Sequence, residues 1–219
     1  MTEVRFRPLF LGHRGARAVR TIPENSMASF DRALADGCDG FEFDVRLSGD
    51  GEAVIWHDSQ ADGIEISQTP AHQLTQLARL EDVLARYRER AFLDIELKVA
   101  GLEKITVELL RRFSPSRGYV VSSFLPEVLR AVRGEDASIP LGLICETKAE
   151  LSRWSRLPVE YVMPQYGLVD SRLVQDLKAA AKKVLVWTVN DVADMRRFRD
   201  WGVEGIISDE TRLLSGTLA

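Results

Sequence analysis

Two cysteines, three histidines and no apolar run of membrane-spanning length leave this 219-residue chain with few routes to chemistry. Cys38 and Cys145 belong to no Cys-x-x-Cys pair and stand in apolar surroundings, so they read as reduced core residues rather than as a metal site. No segment approaches the roughly 20 apolar residues of a membrane span, and the opening MTEVRFRPLFLGHRG holds too short an apolar stretch for a signal peptide. A cytoplasmic protein without stable membrane association is the expectation. Basic excess is missing too: the net charge is −4 and no run of five or six like charges occurs, which argues against nucleic acid as a partner. Nothing in the sequence sets an oligomeric state.

What is present is a regular alternation. Strand-like runs at Pro8–Gly12, Gly40–Leu47, Ala91–Lys98, Gly118–Ser122, Ile139–Cys145, Val159–Pro164, Lys183–Thr188 and Gly205–Ser208 are separated by runs with apolar residues at helical spacing. Those helices are expected at Ser26–Ala35, Glu81–Arg90, Leu102–Phe113, Pro126–Val132, Lys148–Trp154, Ser171–Ala181 and Val192–Trp201, with a short last one at Thr211–Leu214. Eight such units without a linker predict an α/β protein, a (β/α)8 TIM barrel, as a single domain over residues 1–219. An open doubly wound sheet is the alternative, but no Gly-x-Gly-x-x-Gly loop follows the first strand to hold a pyrophosphate. After the second strand, the turn Ser48-Gly49-Asp50-Gly51 leads into Glu52–His57, read as a short β-hairpin. A loop over Asp58–Pro70 follows, a minimal insertion.

The second strand, GFEFDVRL, places Phe41, Phe43 and Val45 on one face and Glu42 and Asp44 on the other, the two carboxylates roughly 7 Å apart along the strand. The third, LDIELK, repeats the pattern: Asp94, Glu96 and Lys98 point away from Ile95 and Leu97. Barrels of this kind carry their chemistry at the C-terminal strand ends. Glu42, Asp44 and Glu96 then form an all-oxygen set suited to one hard divalent cation, Mg²⁺, Ca²⁺ or Mn²⁺, while zinc would more often recruit Cys or His. The structural alternative pairs Glu42 and Glu96 with Arg14, Arg46 or Lys98 as an ion-pair network. Arg46, beyond Asp44, is expected to cap the site from outside.

His13 and His57 stand at predicted strand ends beside that face, an acid/base pair in position for proton transfer. His72 has no such company and is given no role. Glu24 and Asn25 precede the first helix and suit capping its first turn. Trp187, ending the seventh strand, reads either as a barrel-mouth core residue or as packing over substrate. Ser123 and Phe124 read as structural.

With these residues in place, the sequence resembles the glycerophosphodiester phosphodiesterase family, a branch of the phosphatidylinositol-phospholipase-C-like phosphodiesterase barrels. The resemblance lies in His13-Arg14-Gly15, Pro23-Glu24-Asn25, Glu42-x-Asp44, His57-Asp58 and Glu96-Leu97-Lys98. It continues more weakly in Ser122-Ser123-Phe124, Trp187-Thr188-Val189-Asn190 and Gly205-Ile206-Ile207-Ser208-Asp209. The resemblance implies metal-dependent hydrolysis of a small-molecule glycerophosphodiester to glycerol 3-phosphate and an alcohol. By motif, Glu42, Asp44 and Glu96 hold the divalent cation, and His13 and His57 are the acid/base pair. Arg14 and Lys98 bind phosphate, and Glu24 and Asn25 orient Arg14 or touch the metal or phosphate. His13 is favoured as base and His57 as acid, with water or the substrate's own hydroxyl as nucleophile. The chain departs from many relatives after His57, where Asp58–Ile64 replaces a longer stretch and leaves the alcohol half of the substrate open. The remaining alternatives are a non-catalytic barrel that binds a phosphometabolite and a lyase-type or lysophospholipid phosphodiesterase of the same superfamily.

Overall fold

The computed structural model describes residues 7–218. Residues 1–6 and 219 lie outside the described residues, and with them the first part of the opening stretch MTEVRFRPLFLGHRG and the outermost ends of the expected domain. In chain order the elements are β1 (Leu9–His13), α1 (Met27–Ala35), β2 (Gly40–Leu47), β3 (Ala53–Ile55), β4 (Gln60–Ala61), β5 (Ile64–Glu65), α2 (Leu80–Tyr87), β6 (Phe92–Leu97), α3 (Glu103–Arg112), β7 (Tyr119–Ser123), α4 (Pro126–Glu135), β8 (Leu141–Cys145), α5 (Lys148–Leu151), β9 (Tyr161–Pro164), α6 (Ser171–Ala179), β10 (Lys183–Val186), α7 (Val192–Trp201), β11 (Gly205–Ser208) and α8 (Thr211–Leu218).

Eight of these strands run parallel, and β1 pairs with both β2 and β11, closing the sheet into a barrel and ruling out the open sheet. The outward strand residues pack under the helices. Phe41 stacks on Phe30 of α1 at 4.2 Å between ring centroids, and Tyr87 of α2 meets Phe41 edge-on at 5.0 Å. Covering that aromatic face turns Glu42 and Asp44 into the barrel, because strand side chains alternate. Inside, Leu11, Phe92, Val120, Tyr161, Leu185 and Ile207 are among the side chains that pack together in the lumen. Gly40 is required where β2 crosses β6, since a Cβ there would sit 1.8 Å from the Phe92 carbonyl oxygen.

β3 pairs antiparallel with β2, as the hairpin reading expects. The segment read as a plain loop folds further, into the small β4–β5 hairpin and a 3₁₀ turn over Ile66–Gln68. The reason is a separate small core: Val54, Ala61, Ile66 and Leu74 are buried together beside Trp56. The fifth predicted helix is shorter than expected, ending at Leu151 before a 3₁₀ turn over Trp154–Arg156.

Candidate active site

The C-terminal ends of β1, β2 and β6 are in register. His13 lies across from Glu42, and Asp44 from Glu96. Ligand oxygens of Glu42, Asp44 and Glu96 all lie within 4.8 Å of one another, on three buried residues. Two cations reach this cluster. Lys98 Nζ is 2.6 Å from Glu96 Oε1 and 3.3 Å from Asp44 Oδ1, and Arg14 Nε is 3.1 Å from Asp44 Oδ2. The Arg14 backbone N–H donates to Glu42 Oε2 at 2.9 Å, which its left-handed φ of 51° and the following Gly15 at φ +83° allow.

The three carboxyls are not equally compensated. Burial raises Asp44, but the charges of Lys98 and Arg14 and the Asn25 hydrogen bond outweigh it and hold that carboxyl below its usual range. Burial pushes Glu42 up, and the charges of Asp44, Glu96 and Asp94 add to it against Arg14. Glu96 is raised by burial and Asp44 despite its contact with Lys98. Glu42 Oε1 has no hydrogen-bond partner among the described residues. A hard divalent cation fits this donor set: all ligands are oxygen, the local charge is underbalanced, and one buried oxygen is unsatisfied.

Both histidines are tied by Nδ1 to a carboxylate. His13 Nδ1 is 2.7 Å from Asp209 Oδ1, and His57 Nδ1 is 2.7 Å from Asp58 Oδ1. A carboxylate only accepts, so each neutral ring keeps its proton on Nδ1 and leaves Nε2 free. His13 Nε2 lies 3.9 Å from Glu42 Oε2, on the cluster side. Burial pushes His57 below its ordinary value, opposed by Asp44 and Asp58.

Asp209 is itself held by Asn190 Nδ2 at 2.8 Å and Arg17 at 3.4 Å. Burial raises its carboxyl, yet His13, Asn190 and Arg17 together outweigh burial and hold it at about 2. An unfolded Asp titrates near 3.9, so this group stabilises the fold above pH ~4, and that contribution is lost as pH falls toward 2. Asp209→Asn is therefore expected to lose about 2 kcal/mol of stability at pH 7 relative to the parent. The gap should narrow between about pH 4 and pH 2 in urea titrations; an unchanged gap across that window would show that Asp209 carries no such linkage.

These side chains face a cavity of ≈ 330 Å³. His13, Arg14, Glu42, His57, Glu96 and Lys98 line its polar side, and Phe124, Ile144, Met163, Trp187 and Ile207 line an apolar wall. The family model described as the glycerophosphoryl diester phosphodiesterase family matches residues 13–95 and 92–213. The chain belongs to that family. A glycerophosphodiester phosphodiesterase of Caldanaerobacter subterraneus subsp. tengcongensis is 28% identical over 236 residues, covering 94% of this chain and 96% of the relative. A phosphodiesterase of Oleispira antarctica, solved in complex with the product sn-glycerol-3-phosphate, superposes with a TM-score of 0.84 at 28% identity, covering 97% of each chain. A glycerophosphodiester phosphodiesterase of Parabacteroides distasonis shares the fold with a TM-score of 0.87 at 23% identity, covering 98% of each chain.

Against the sequence expectations, this family barrel brings His13, His57, Glu42, Glu96, Arg14 and Lys98 to one cavity, with Asp44 buried against Glu42, Glu96, Arg14 and Lys98. Glu24 and Asn25 do not cap α1; Ser26 does, accepting from the Ser29 N–H. Glu24 instead bridges Arg14 Nη1 at 2.7 Å and Arg17 Nε at 2.6 Å. Asn25, in the left-handed region at φ 55°, exchanges two hydrogen bonds with Asp44: Nδ2 to Oδ2 at 2.8 Å and the Asp44 N–H to Oδ1 at 3.2 Å. Arg46 does not cap the site. Its Nε donates to the His57 carbonyl at 2.8 Å, because the hairpin brings the end of β3 past it. Trp187 meets Phe124 edge-on at 5.7 Å, and both line the cavity, so Phe124 is more than structural, whereas Ser123 is a backbone brace on Leu97. His72 is exposed in a 3₁₀ turn, and both cysteines are buried and free. Asp209 was signalled only by the weak Ser208-Asp209 motif, and no local pattern connects it to His13.

Proposed function

We propose that this chain is a glycerophosphodiester phosphodiesterase that hydrolyses glycerophosphodiesters to glycerol 3-phosphate and an alcohol, with a divalent cation held by Glu42, Asp44 and Glu96, acting in the cytoplasm. The observation that carries this reading is the facing arrangement of a three-carboxylate cluster and two histidines, each with its Nδ1 fixed by an aspartate. Binding a phosphorylated metabolite needs no second orientated imidazole, which disfavours a non-catalytic barrel. The related enzyme from Oleispira antarctica, with its product sn-glycerol-3-phosphate, supports the product class.

The bound cation supplies Lewis-acid stabilisation of negative charge on the phosphoryl oxygens, whether Mg²⁺, Ca²⁺ or Mn²⁺. Around it, Arg14 and Lys98 place positive charge where the equatorial oxygens gain charge as the nucleophile adds. Glu24 holds the Arg14 guanidinium in plane, and Asn25 holds Asp44, so neither swings when substrate enters. His13 Nε2 takes the proton of the attacking hydroxyl as the new P–O bond forms. His57, charged as the imidazolium with a second proton on Nε2, gives that proton to the oxygen of the alcohol as the old P–O bond breaks. Asp209 and Asp58 each hold an Nδ1 proton, which leaves Nε2 of the neutral His13 free to accept and favours the charged ring of His57 that donates. The attacking hydroxyl is that of water, or the substrate's own glycerol hydroxyl with water then opening the cyclic phosphate, and neither route forms a bond to protein.

The test is release of sn-glycerol 3-phosphate, assayed by its product-specific dehydrogenase, from glycerophosphocholine, glycerophosphoethanolamine and glycerophosphoinositol. Turnover of at least one is expected. No turnover of any of them, with Mg²⁺, Ca²⁺ or Mn²⁺ supplied, would overturn the reading.

A further inference from the structure

The cavity floor carries one polar group that no neighbour completes. Asp94 is fully buried on the inward face of β6, two residues before Glu96, and lines the same cavity as the cluster. Ser122 Oγ donates to Asp94 Oδ1 at 2.6 Å, while Oδ2 has no hydrogen-bond partner among the described residues. Asp94 is not in the set whose oxygens converge within 4.8 Å, so the cation site does not absorb it. Apart from the charged groups at the strand ends, the cavity's lining is apolar and includes Ile144, Met163 and Ile207. A buried polar atom left unpaired costs more than a paired one returns, so a site that keeps one is built to meet a hydrogen-bonding group on its occupant.

We propose that Asp94, clamped by Ser122, forms a hydrogen bond through its free oxygen with a hydroxyl of the substrate's glycerol, and that this contact makes the site select glycerol esters over unsubstituted alkyl esters. This rests on the proposed hydrolysis of glycerophosphodiesters. Arg14, Lys98 and the carboxylate cluster fix the phosphate at the strand ends, so the part of the substrate that reaches below Glu96 is an alcohol substituent. Glycerol carries hydroxyls three atoms or fewer from its ester oxygen; a propyl chain has the same carbons and none. In an apolar floor, an alkyl group would leave Asp94 Oδ2 unpaired, which is the arrangement by which a polar site rejects an analogue lacking the hydroxyl. Ser122 holds Oδ1, so the free oxygen keeps one orientation. Ser122 pairs in register with Glu96, which ties the floor contact to the strand that carries the cluster.

Inhibition of glycerophosphocholine turnover by sn-glycerol 3-phosphate and by propyl phosphate, with metal present, reads this directly. The parent protein is expected to bind glycerol 3-phosphate roughly 10- to 100-fold more tightly. In Asp94→Ala the gap should close to about twofold, with the inhibition constant of propyl phosphate unchanged. Ser122→Ala, which leaves the carboxylate in place but unclamped, should narrow the gap part-way and serves if Asp94→Ala does not fold. Parent binding of the two esters within twofold, or equal weakening of both in the variants, would overturn the inference while leaving hydrolysis standing. Failure of the parent to bind either ester would overturn the functional reading and this inference with it.

Discussion

Glu42→Gln is expected to lower release of glycerol 3-phosphate about 1,000-fold, and EDTA is expected to do the same to the parent, reversibly on adding Mg²⁺ or Ca²⁺. The substitution is nearly isosteric, and the glutamine carbonyl still accepts the Arg14 N–H that Glu42 Oε2 accepts now. What it removes is charge. Burial and the neighbouring carboxylates already push Glu42 up, so neutralising it relieves repulsion in the metal-free protein. Thermal unfolding then separates the two explanations of the cluster. If it holds a cation, Glu42→Gln unfolds at or above the parent temperature in EDTA. A cation at 100 times its dissociation constant then raises the parent by about 5–10 °C and the variant by much less. If the cluster is a structural ion-pair network around Arg14 and Lys98, Glu42→Gln is destabilised in EDTA and the cation moves neither protein. Activity indifferent to chelation would sink the metal-dependent mechanism.

His13→Ala and His57→Ala are each expected to lower kcat for glycerophosphocholine by about 10²- to 10⁴-fold. The two losses have different causes, and the leaving group exposes them. An alkoxide needs a proton to depart, whereas 4-nitrophenolate leaves readily without one. On bis(4-nitrophenyl) phosphate, therefore, His57→Ala should recover most of its deficit, while His13→Ala, deprived of its base, should not. The reverse pattern would exchange the two roles. Equal losses for both variants on both substrates would overturn the acid/base assignment altogether. Because the His57 ring is about one-third exposed and, among the described residues, its hydrogen bond is to Asp58, while the Arg46 contact is to its backbone carbonyl, its alanine variant is expected to fold as the parent does.

Much of this site is written in local pattern. The two-residue alternation of Gly40–Leu47 puts Phe41 and Phe43 on one face, and once aromatic packing with α1 and α2 claims that face, Glu42 and Asp44 have nowhere to point but inward. The same alternation in Phe92–Leu97 delivers Glu96 alongside them. Eight βα units in succession are likewise a local signal, repeated. Contacts made across the chain have no such signal. His13 meets Asp209 over a separation of 196 residues because β11 closes on β1, and nothing near either residue encodes that closure. Asn25 reads as a helix cap until the left-handed turn carries its amide to Asp44.

By itself, then, the sequence determined the order of elements, the inward set of carboxylates and the two histidines at strand ends. Periodicity and strand ends are properties of neighbours along the chain. Only the tertiary structure decided that Asp209 orients His13, that Arg46 braces the His57 turn instead of capping the site, and that Phe124 joins Trp187 on the cavity wall. It alone left Asp94 with one oxygen unpaired among the described residues. Those outcomes depend on which strands become neighbours when the barrel closes and on which buried groups remain unsatisfied afterwards, and both are set by the packing of the whole barrel.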